Sequence, residues 1–301
     1  MLDYKIKTFL TVCEYLNYTN AAKALNLTQP AITQQIKALE EYYDVKLFSY
    51  HNRNLTLTTQ GEVLRTAMTT MLFDVEKLQE KLLQTENHTS ELNFGSTHSI
   101  GEIYLPDIII PYLDKHKGTI MNYNVDNTTE IFNQLKQGMI DFAFVEGTFE
   151  KKEFSYIPIS TQRFIAVCNS NRDIPPIDNI SELFYHPIIL REAGSGGRNI
   201  VEEFLKDNGY RIDNFLTFST FNSVQTIRKL LQADLGIAFV YEIVVEDYIK
   251  NGILKEIEIP GFHIEHEFSF VWRKDSLYKD EYLAFLHEVQ PGLLKQSTDE
   301  F

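Results

Sequence analysis

The stretch NYTNAAKALNLTQPAITQQIKALEEYYDVKLF, from Asn17 to Phe48, constrains this chain more than any other. It holds two amphipathic patterns separated by a very short polar break, so two helices must pack at once. Thr19 or Asn20 is placed to cap a short helix with apolar positions Ala21, Ala22 and Leu25. The alanines are small enough to let a second helix approach. Asn26, Leu27 and Thr28 form the turn, with Leu27 as its buried plug. Thr28 caps the following helix, and Pro30 lies in its first turn, where a missing N–H does no harm. Ile32, Ile36, Leu39 and Tyr43 recur at helical spacing and share one face.

The opposite face carries Pro30, Gln34, Lys37 and Glu41, with Thr33 at its edge. Gln can bridge an adenine edge, Thr can meet a base edge or a thymine methyl, and Lys can reach phosphate or guanine. A helix with that face, held by a short turn against another, suits major-groove reading. The expected DNA contacts are Thr19, Thr28, Gln29, Pro30, Thr33, Gln34 and Lys37. A plain three-helix bundle would also show a solvated polar face, so the flanks decide.

Residues 4–15 predict a supporting helix, and residues 44–58 a short turn and a two-stranded wing. His51, Asn52, Arg53 and Asn54 lie at its tip. Arg53 and Asn54 are added to the DNA contacts, Arg53 entering a minor groove or touching phosphate; a solvated hairpin is the alternative. From Thr59 to about Thr85 one long helix is expected, with Thr59 and Glu62 at capping-box spacing. Leu64, Met68, Met71, Val75, Leu78 and Leu82 form a heptad seam along it. A helix of about 40 Å with such a seam needs a partner: a second copy in a dimer, or the chain's own body.

With these flanks the sequence resembles the LysR-type transcriptional regulators. The resemblance rests on Ala21-Ala22, Thr28-Gln29-Pro30-Ala31-Ile32-Thr33, Gln35-Ile36, Leu39-Glu40, Leu47-Phe48 and Leu57-Thr58-Thr59-Gln60-Gly61, in that order. The wing departs from the pattern: Tyr50 stands where an Arg is usual, while Arg53 matches. The resemblance extends over essentially the full length. It implies an α/β fold class: an N-terminal winged helix-turn-helix, a long linker helix, and a two-lobed α/β effector domain similar to periplasmic solute-binding proteins.

Net charge is −14, which at first looks wrong for a DNA binder. Residues 1–60, however, contain six Lys/Arg against five Asp/Glu, and the remainder 22 against 37. Phosphate contact is local, with screening over about 8 Å in physiological salt. An acidic body is therefore compatible with a near-neutral DNA-binding unit, and calls for more than one such unit per assembly. No run of apolar residues suffices for a membrane span, and the N-terminus lacks a signal-peptide cleavage site, so a cytoplasmic protein is expected. The two cysteines, Cys13 and Cys168, suggest neither a zinc site nor a disulfide framework.

Beyond a polar hinge at residues 86–91 the pattern changes to alternating strands and helices, which implies a parallel-rich sheet. Strands are expected at Leu92–Gly95, Met121–Val125 and Phe142–Val145, then at Phe164–Cys168, Ile188–Leu190, Leu216–Phe218, Ile237–Val240, Leu254–Ile257 and Phe268–Trp272. A last helix spans Glu281–Leu294. Asp141-Phe142-Ala143 and Leu235-Gly236-Ile237-Ala238 lie where the family has comparable runs, although Ala233-Asp234 and Tyr241 depart from the usual Ala-Gly and proline. The organisation expected is 1–58 for DNA binding, 59–87 for dimerisation and 92–301 for effector binding. Lobe I would take about 92–162 plus 268–301, and lobe II about 163–267.

In open α/β sheets ligands bind at the carboxyl ends of strands, where helix N-termini offer N–H groups and partial positive charge. Four such places can be read: Ser96-Thr97-His98-Ser99, Thr128-Thr129, Gly194-Ser195-Gly196-Gly197-Arg198, and Thr220 to Ser223. Their hydroxyls and amides suit a small anion, most simply a carboxylate. The resemblance implies that the matching positions line an inducer pocket, giving Thr97, His98, Ser99, Thr128, Ser195, Gly196 and Asn222 as effector contacts. Ser and Thr that only cap helices are the alternative.

An enzyme reading lacks a motif. Position 193 is Ala, so Ser195 has no nucleophile-elbow spacing, and the Gly-rich run is not followed by Gly-Lys-Ser/Thr. The histidines show no metal-ligand spacing, and no cofactor or metal is expected. The reading is a dimeric or tetrameric regulator binding double-stranded DNA, whose effector closes the lobes. The competing reading is a solute-binding protein without regulatory DNA binding.

Overall fold

The computed structural model describes residues 4–51, 54–83, 91–147, 149 and 152–291. Its chain divides into two units, Met1–His88 with Arg273–Lys279, and Thr89–Trp272 with Asp280–Phe301.

In the first unit, helices α1 (Tyr4–Tyr15), α2 (Tyr18–Ala24) and α3 (Gln29–Tyr43) precede strands β1 (Phe48–His51) and β2 (Asn54–Leu57) and helix α4 (Thr59–Leu83). Ile6, Phe9 and Val12 meet Ala21, Ala22, Ile32, Ile36 and Leu39 in one core, to which the wing adds Leu47, Phe48 and Leu55. Burying each larger aliphatic or aromatic side chain there contributes about 1.5–3 kcal/mol.

The caps differ in detail from expectation. Asn17 caps α2, its side-chain oxygen accepting the Thr19 and Asn20 amides at 2.9 and 3.0 Å. Thr19 and Asn20 therefore lie inside the helix. Asn26 takes the left-handed turn conformation, with φ 55°. Leu27 is half-buried against the core. Thr28 does cap α3, accepting the Ala31 amide at 3.4 Å. Tyr43 is 40% exposed, and the buried polar group near the end of α3 is Glu40. Its carboxylate accepts the Leu47 amide at 2.9 Å and the Lys46 ammonium at 2.6 Å, tying α3 to the root of the wing.

The wing pairs Phe48 with Leu57 and His51 with Asn54. Asn54 is exposed; Asn52 and Arg53 lie outside the described residues. Thr58, not Thr59, caps α4. Its hydroxyl accepts the Gly61 amide at 3.0 Å and donates to the Lys46 carbonyl at 2.6 Å, while its own amide donates to the Leu47 carbonyl at 3.0 Å. Gly61 is required by close approach: a Cβ there would overlap the Leu47 carbonyl oxygen and come within 2.8 Å of a Leu57 methyl.

The seam of α4 is shared out. Leu64 and Met68 pack on the helix-turn-helix core, while Met71, Leu78 and Leu82 are exposed. A neighbouring face is covered by residues 273–279. Buried Asp74 accepts the Ser276 hydroxyl at 2.9 Å and the Leu277 amide at 2.8 Å. Thr70 donates to the Lys274 carbonyl at 3.2 Å. The Lys77 and Lys81 ammonium groups lie 4.9 and 4.5 Å from the Tyr278 ring centre. Its own chain thus covers one part of this helix, while Met71, Leu78 and Leu82 stay exposed.

The second unit is a sheet ordered β4-β3-β5-β11-β6-β9-β7-β8, with β10 paired to β6. Its strands are β3 (Glu91–Thr97), β4 (Ile120–Asp126), β5 (Phe142–Glu146), β6 (Phe154–Asn169), β7 (Ile188–Arg191), β8 (Phe218–Phe221), β9 (Ile237–Tyr241), β10 (Leu254–Ile257) and β11 (Ile264–Arg273). Its helices are α5 (Pro106–Lys115), α6 (Thr128–Lys136), α7 (Gly196–Asp207), α8 (Val224–Gln232), α9 (Glu242–Lys250) and α10 (Lys279–Val289). β3 runs parallel to β4 and β5, and β7 parallel to β8 and β9. β11 is antiparallel to β5 and β6 to β9, so these two strands form the crossovers.

Both crossovers begin earlier than their apolar runs suggested, β6 at Phe154 rather than Phe164 and β11 at Ile264 rather than Phe268. Their leading parts are less buried than the runs from Phe164 and Phe268 onward, which are buried throughout. Expected at Leu216–Phe218, β8 falls instead at Phe218–Phe221. Lobe I is closed by an aromatic stack, with Phe94 and Phe142 ring centres 5.1 Å apart. Phe285 of α10 returns to it, 5.2 Å from Phe142.

Candidate DNA-reading helix and effector cleft

The fold turns α3 outward as its pattern demands. Thr28, Gln29, Pro30, Gln34 and Lys37 are exposed, and so is Thr19 on α2. Thr33 is half-buried; its hydroxyl donates to the Gln29 carbonyl at 3.0 Å, and the Gln29 amide reaches that hydroxyl at 3.4 Å. Gln35 points the other way and accepts the Thr8 hydroxyl at 2.6 Å, which locks α3 against α1. Gln34 and Lys37 thus stand on a helix whose rotation is set by the core. Tyr50, where the resemblance would place an Arg, is 68% exposed on β1.

The cleft is built from strand ends. β3 and β5 lie side by side, which brings Thr97 and Glu146 to the same edge of lobe I. A π-helical turn, Ile100–Tyr104, follows at once. Thr97, Ser99, Glu146, Arg191 and Ser195 are buried, and so is Tyr241. Lobe II supplies Arg191 from β7, Ser195 and Gly196 at the start of α7, and Tyr241 from β9.

The lobes are clasped across this edge. The Gly196 amide donates to the Thr128 hydroxyl at 3.2 Å, and the Thr129 amide and hydroxyl both donate to the Gly194 carbonyl at 3.4 Å. Gly196 allows the approach: a Cβ would stand 3.3 Å from the Thr128 hydroxyl and 3.4 Å from the Glu146 carbonyl oxygen. A second clasp is Glu102. Its carboxylate accepts the Val224 and Gln225 amides at 3.4 and 3.2 Å and pairs with His98 Nδ1 at 2.8 Å. Burial pushes Glu102 upward, but the bonds from His98, Gln225 and Val224 together hold it below the ordinary carboxylate range.

These contacts redistribute the expected site. The N-terminus of α6 is capped by Asn127 at 3.0 Å from the Glu130 amide. That of α8 is closed by Glu102 and by Ser223, which accepts the Thr226 amide at 3.2 Å. Asn222, expected at the pocket, is exposed beside this cap. His98 braces Glu102. Of the helices α6, α7 and α8, only α7 lacks a side-chain cap from its own N-cap residue, Ser195. The hydroxyls of Thr97, Ser195 and Tyr241 and Oε2 of Glu146 are buried without a hydrogen-bond partner. Burial pushes the Glu146 carboxyl up, an effect opposed by Arg191 first and then by Ser99 and His98. The Thr97 hydroxyl opposes it least, and does so from outside hydrogen-bond geometry.

Glu146 and Arg191 escaped the sequence reading, which noted Tyr241 only as a departure from the usual proline. Glu146 carried a signal, a charge closing the otherwise apolar run Phe142–Val145.

A cavity of about 10 Å³ remains between Ser99, Phe164, Arg191, Val224 and Tyr241, room for about one water. A larger bay of about 590 Å³ is lined by Arg198, Lys206, Arg211 and Asp213 among others. Most of its lining is exposed, and among the described residues it holds no unpartnered buried side chain. Burial pushes the Cys13 thiol up to about 12 and raises Cys168, so neither is a thiolate at neutral pH. Among the described residues no helix is long and apolar enough to cross a membrane.

A helix-turn-helix joined to a two-lobed α/β domain with a buried polar cleft defines a class: DNA-binding regulators that respond to a small molecule. The comparisons with known proteins name the family. Residues 4–62 match the family described as bacterial regulatory helix-turn-helix protein, lysR family, and residues 85–293 match the LysR substrate binding domain. The chain belongs to the LysR family of transcriptional regulators. It is 26% identical over 285 residues to the HTH-type transcriptional regulator CzcR of Bacillus anthracis, covering 95% of this chain and 96% of that one. Its fold is similar to that of full-length LysG from Corynebacterium glutamicum with bound effector Arg, at TM-score 0.63 and 15% identity over 96% of this chain and 98% of that one. ArgP from Mycobacterium tuberculosis is also similar, at TM-score 0.63 and 14% identity over 97% and 99%.

Proposed function

We propose that this regulator reads an operator through Thr28, Gln29, Pro30, Thr33, Gln34 and Lys37, supported by Thr19, Asn54 and Arg53. It senses a small molecule bearing an anionic group, most simply a carboxylate, between its lobes, and works as a homodimer or a dimer of dimers paired through α4. The exposed stripe Met71, Leu78 and Leu82 supports the pairing.

The observation that carries the sensing is the pair of buried, unpartnered hydroxyls on opposite lobes, Thr97 and Ser195, beside an α7 N-terminus that Ser195 does not cap. A carboxylate there would receive N–H groups and favourable helix-end charge. Effector binding exchanges the Thr128–Gly196 contact for contacts to ligand and so changes how the lobes close.

Thr97→Ala is expected to abolish the effector response and leave operator binding intact, since this buried hydroxyl makes no hydrogen bond to the rest of the protein. Gel shift with and without effector checks it; a variant that loses DNA binding as well counts against the assignment. Gln34→Ala is expected to cost about 1–3 kcal/mol at one operator position while barely changing affinity for random DNA. Titrations on both DNAs at one salt concentration test this, and equal loss on the two would refute a base contact.

A further inference from the structure

Glu146 ends the strand FAFVE, whose other residues are core. It is 1% exposed, and its Oε2 has no hydrogen-bond partner. A buried carboxylate that is neither fully bonded nor paired is unfavourable. The cation nearest in effect is Arg191, but its Nε and Nη2 are already held by Glu192 at 2.9 and 3.0 Å. Other groups facing Glu146 are His98, Ser99 and Thr97 from lobe I and Tyr241 from lobe II. His98 is engaged by Glu102. When ionised, Glu146 therefore leaves the cleft with acidic charge in excess.

This excess lies beside the place where an anion would dock. A Cβ built on Gly196, at the start of α7, would be 3.7 Å from Cγ of Glu146. A ligand bearing negative charge alone would bring two carboxylates together with little water between them, which disfavours both. A ligand that also carries a positive group removes the conflict, because one molecule then answers α7 and Glu146. The unpartnered Tyr241 and Thr97 hydroxyls can accept N–H bonds from such a group.

We propose that the effector is an amino-acid-like zwitterion, whose ammonium or guanidinium group ion-pairs with Glu146 while its anionic group meets the N-terminus of α7. The proposal rests on the cleft reading above and narrows its ligand class. The cavity wall beyond the polar edge is Phe164, Val224, Ile227, Phe239 and Val244, so the rest of the ligand meets an apolar surface.

The test is a thermal-shift titration of the full-length protein with L-amino acids and their des-amino acids: alanine against propionate, valine against 3-methylbutanoate, leucine against 4-methylpentanoate, with arginine and lysine added. Stabilisation confined to amine-bearing probes is expected, weakened at least tenfold by Glu146→Gln and less by Glu146→Asp. Stabilisation by the des-amino acids that Glu146→Gln leaves intact would overturn the inference and keep the cleft, with Glu146 acting as a protonated donor. No stabilisation by any amine-bearing probe would also overturn it. A shift unaffected by Glu146→Gln and by Thr97→Ala alike would remove both the inference and the cleft reading.

Discussion

Gly61→Ala is expected to unfold the DNA-binding unit or bring it close to unfolding. The added methyl would overlap the Leu47 carbonyl oxygen and press on Leu57 at 2.8 Å. The carbonyl cannot step aside, because it accepts the Thr58 amide at 3.0 Å, and Leu47 also donates to buried Glu40 at 2.9 Å. Moving it breaks the tie between α3, the wing and α4 together. Overpacking against a flexible side chain costs about 1–3 kcal/mol, and backbone at a three-way junction puts this case at the top of that range or above. Small domains hold about 5–15 kcal/mol in all. Urea denaturation followed by a probe in the N-terminal unit should show the loss, and operator binding should fail with it. A variant within about 1 kcal/mol of the parent, inside the ordinary range for a tolerated core change, would mean that the junction has slack.

Glu146→Gln should do the opposite to the effector-free protein. Burial raises the folded-state pKa of Glu146 above the unfolded value of about 4.3. Stability from this group is therefore fully present below the unfolded pKa and is lost as pH rises through the folded one. Glutamine keeps the shape and removes the charge. The variant should match the parent near pH 4 and exceed it increasingly toward pH 8, by about 1–3 kcal/mol, the usual cost of an unsatisfied buried polar group. Arg191, His98 and Tyr241 are the titratable groups facing this site, and all remain in the variant. Melting curves of the pair across pH measure the difference; a gap that does not depend on pH would show that Glu146 is not charged when buried. Such a gain would also show where the fold sacrifices stability to keep a binding group.

Much of the DNA-binding unit was legible because its determinants are local. Helical periodicity put Ile32, Ile36 and Leu39 inside and Gln34 and Lys37 outside, and the Thr28 cap and Pro30 placed the start of α3. Caps elsewhere slipped, from Thr19 or Asn20 to Asn17 and from Thr59 to Thr58, since neighbouring polar residues compete and tertiary contacts choose between them. In the effector domain, the alternation of strands and helices followed from periodicity and turn chemistry, and Thr97, Thr128 and Ser195 lie at the strand end and helix starts where that pattern put them. The crossover strands were too short in that reading because their leading parts carry a weaker apolar pattern.

The sequence by itself determined the helix-turn-helix, the family and the α/β alternation. Each depends on residues within a few positions of one another. Tertiary structure alone decided that Asp74 is gripped by Ser276, about two hundred positions away, that Glu102 fills the α8 N-terminus, and that Glu146 lies buried against the start of α7. Such pairings carry no periodic signature. A carboxylate reads the same in sequence whether it caps a helix, clamps a segment or waits for a cation, and only the folded neighbourhood sets which of these it does.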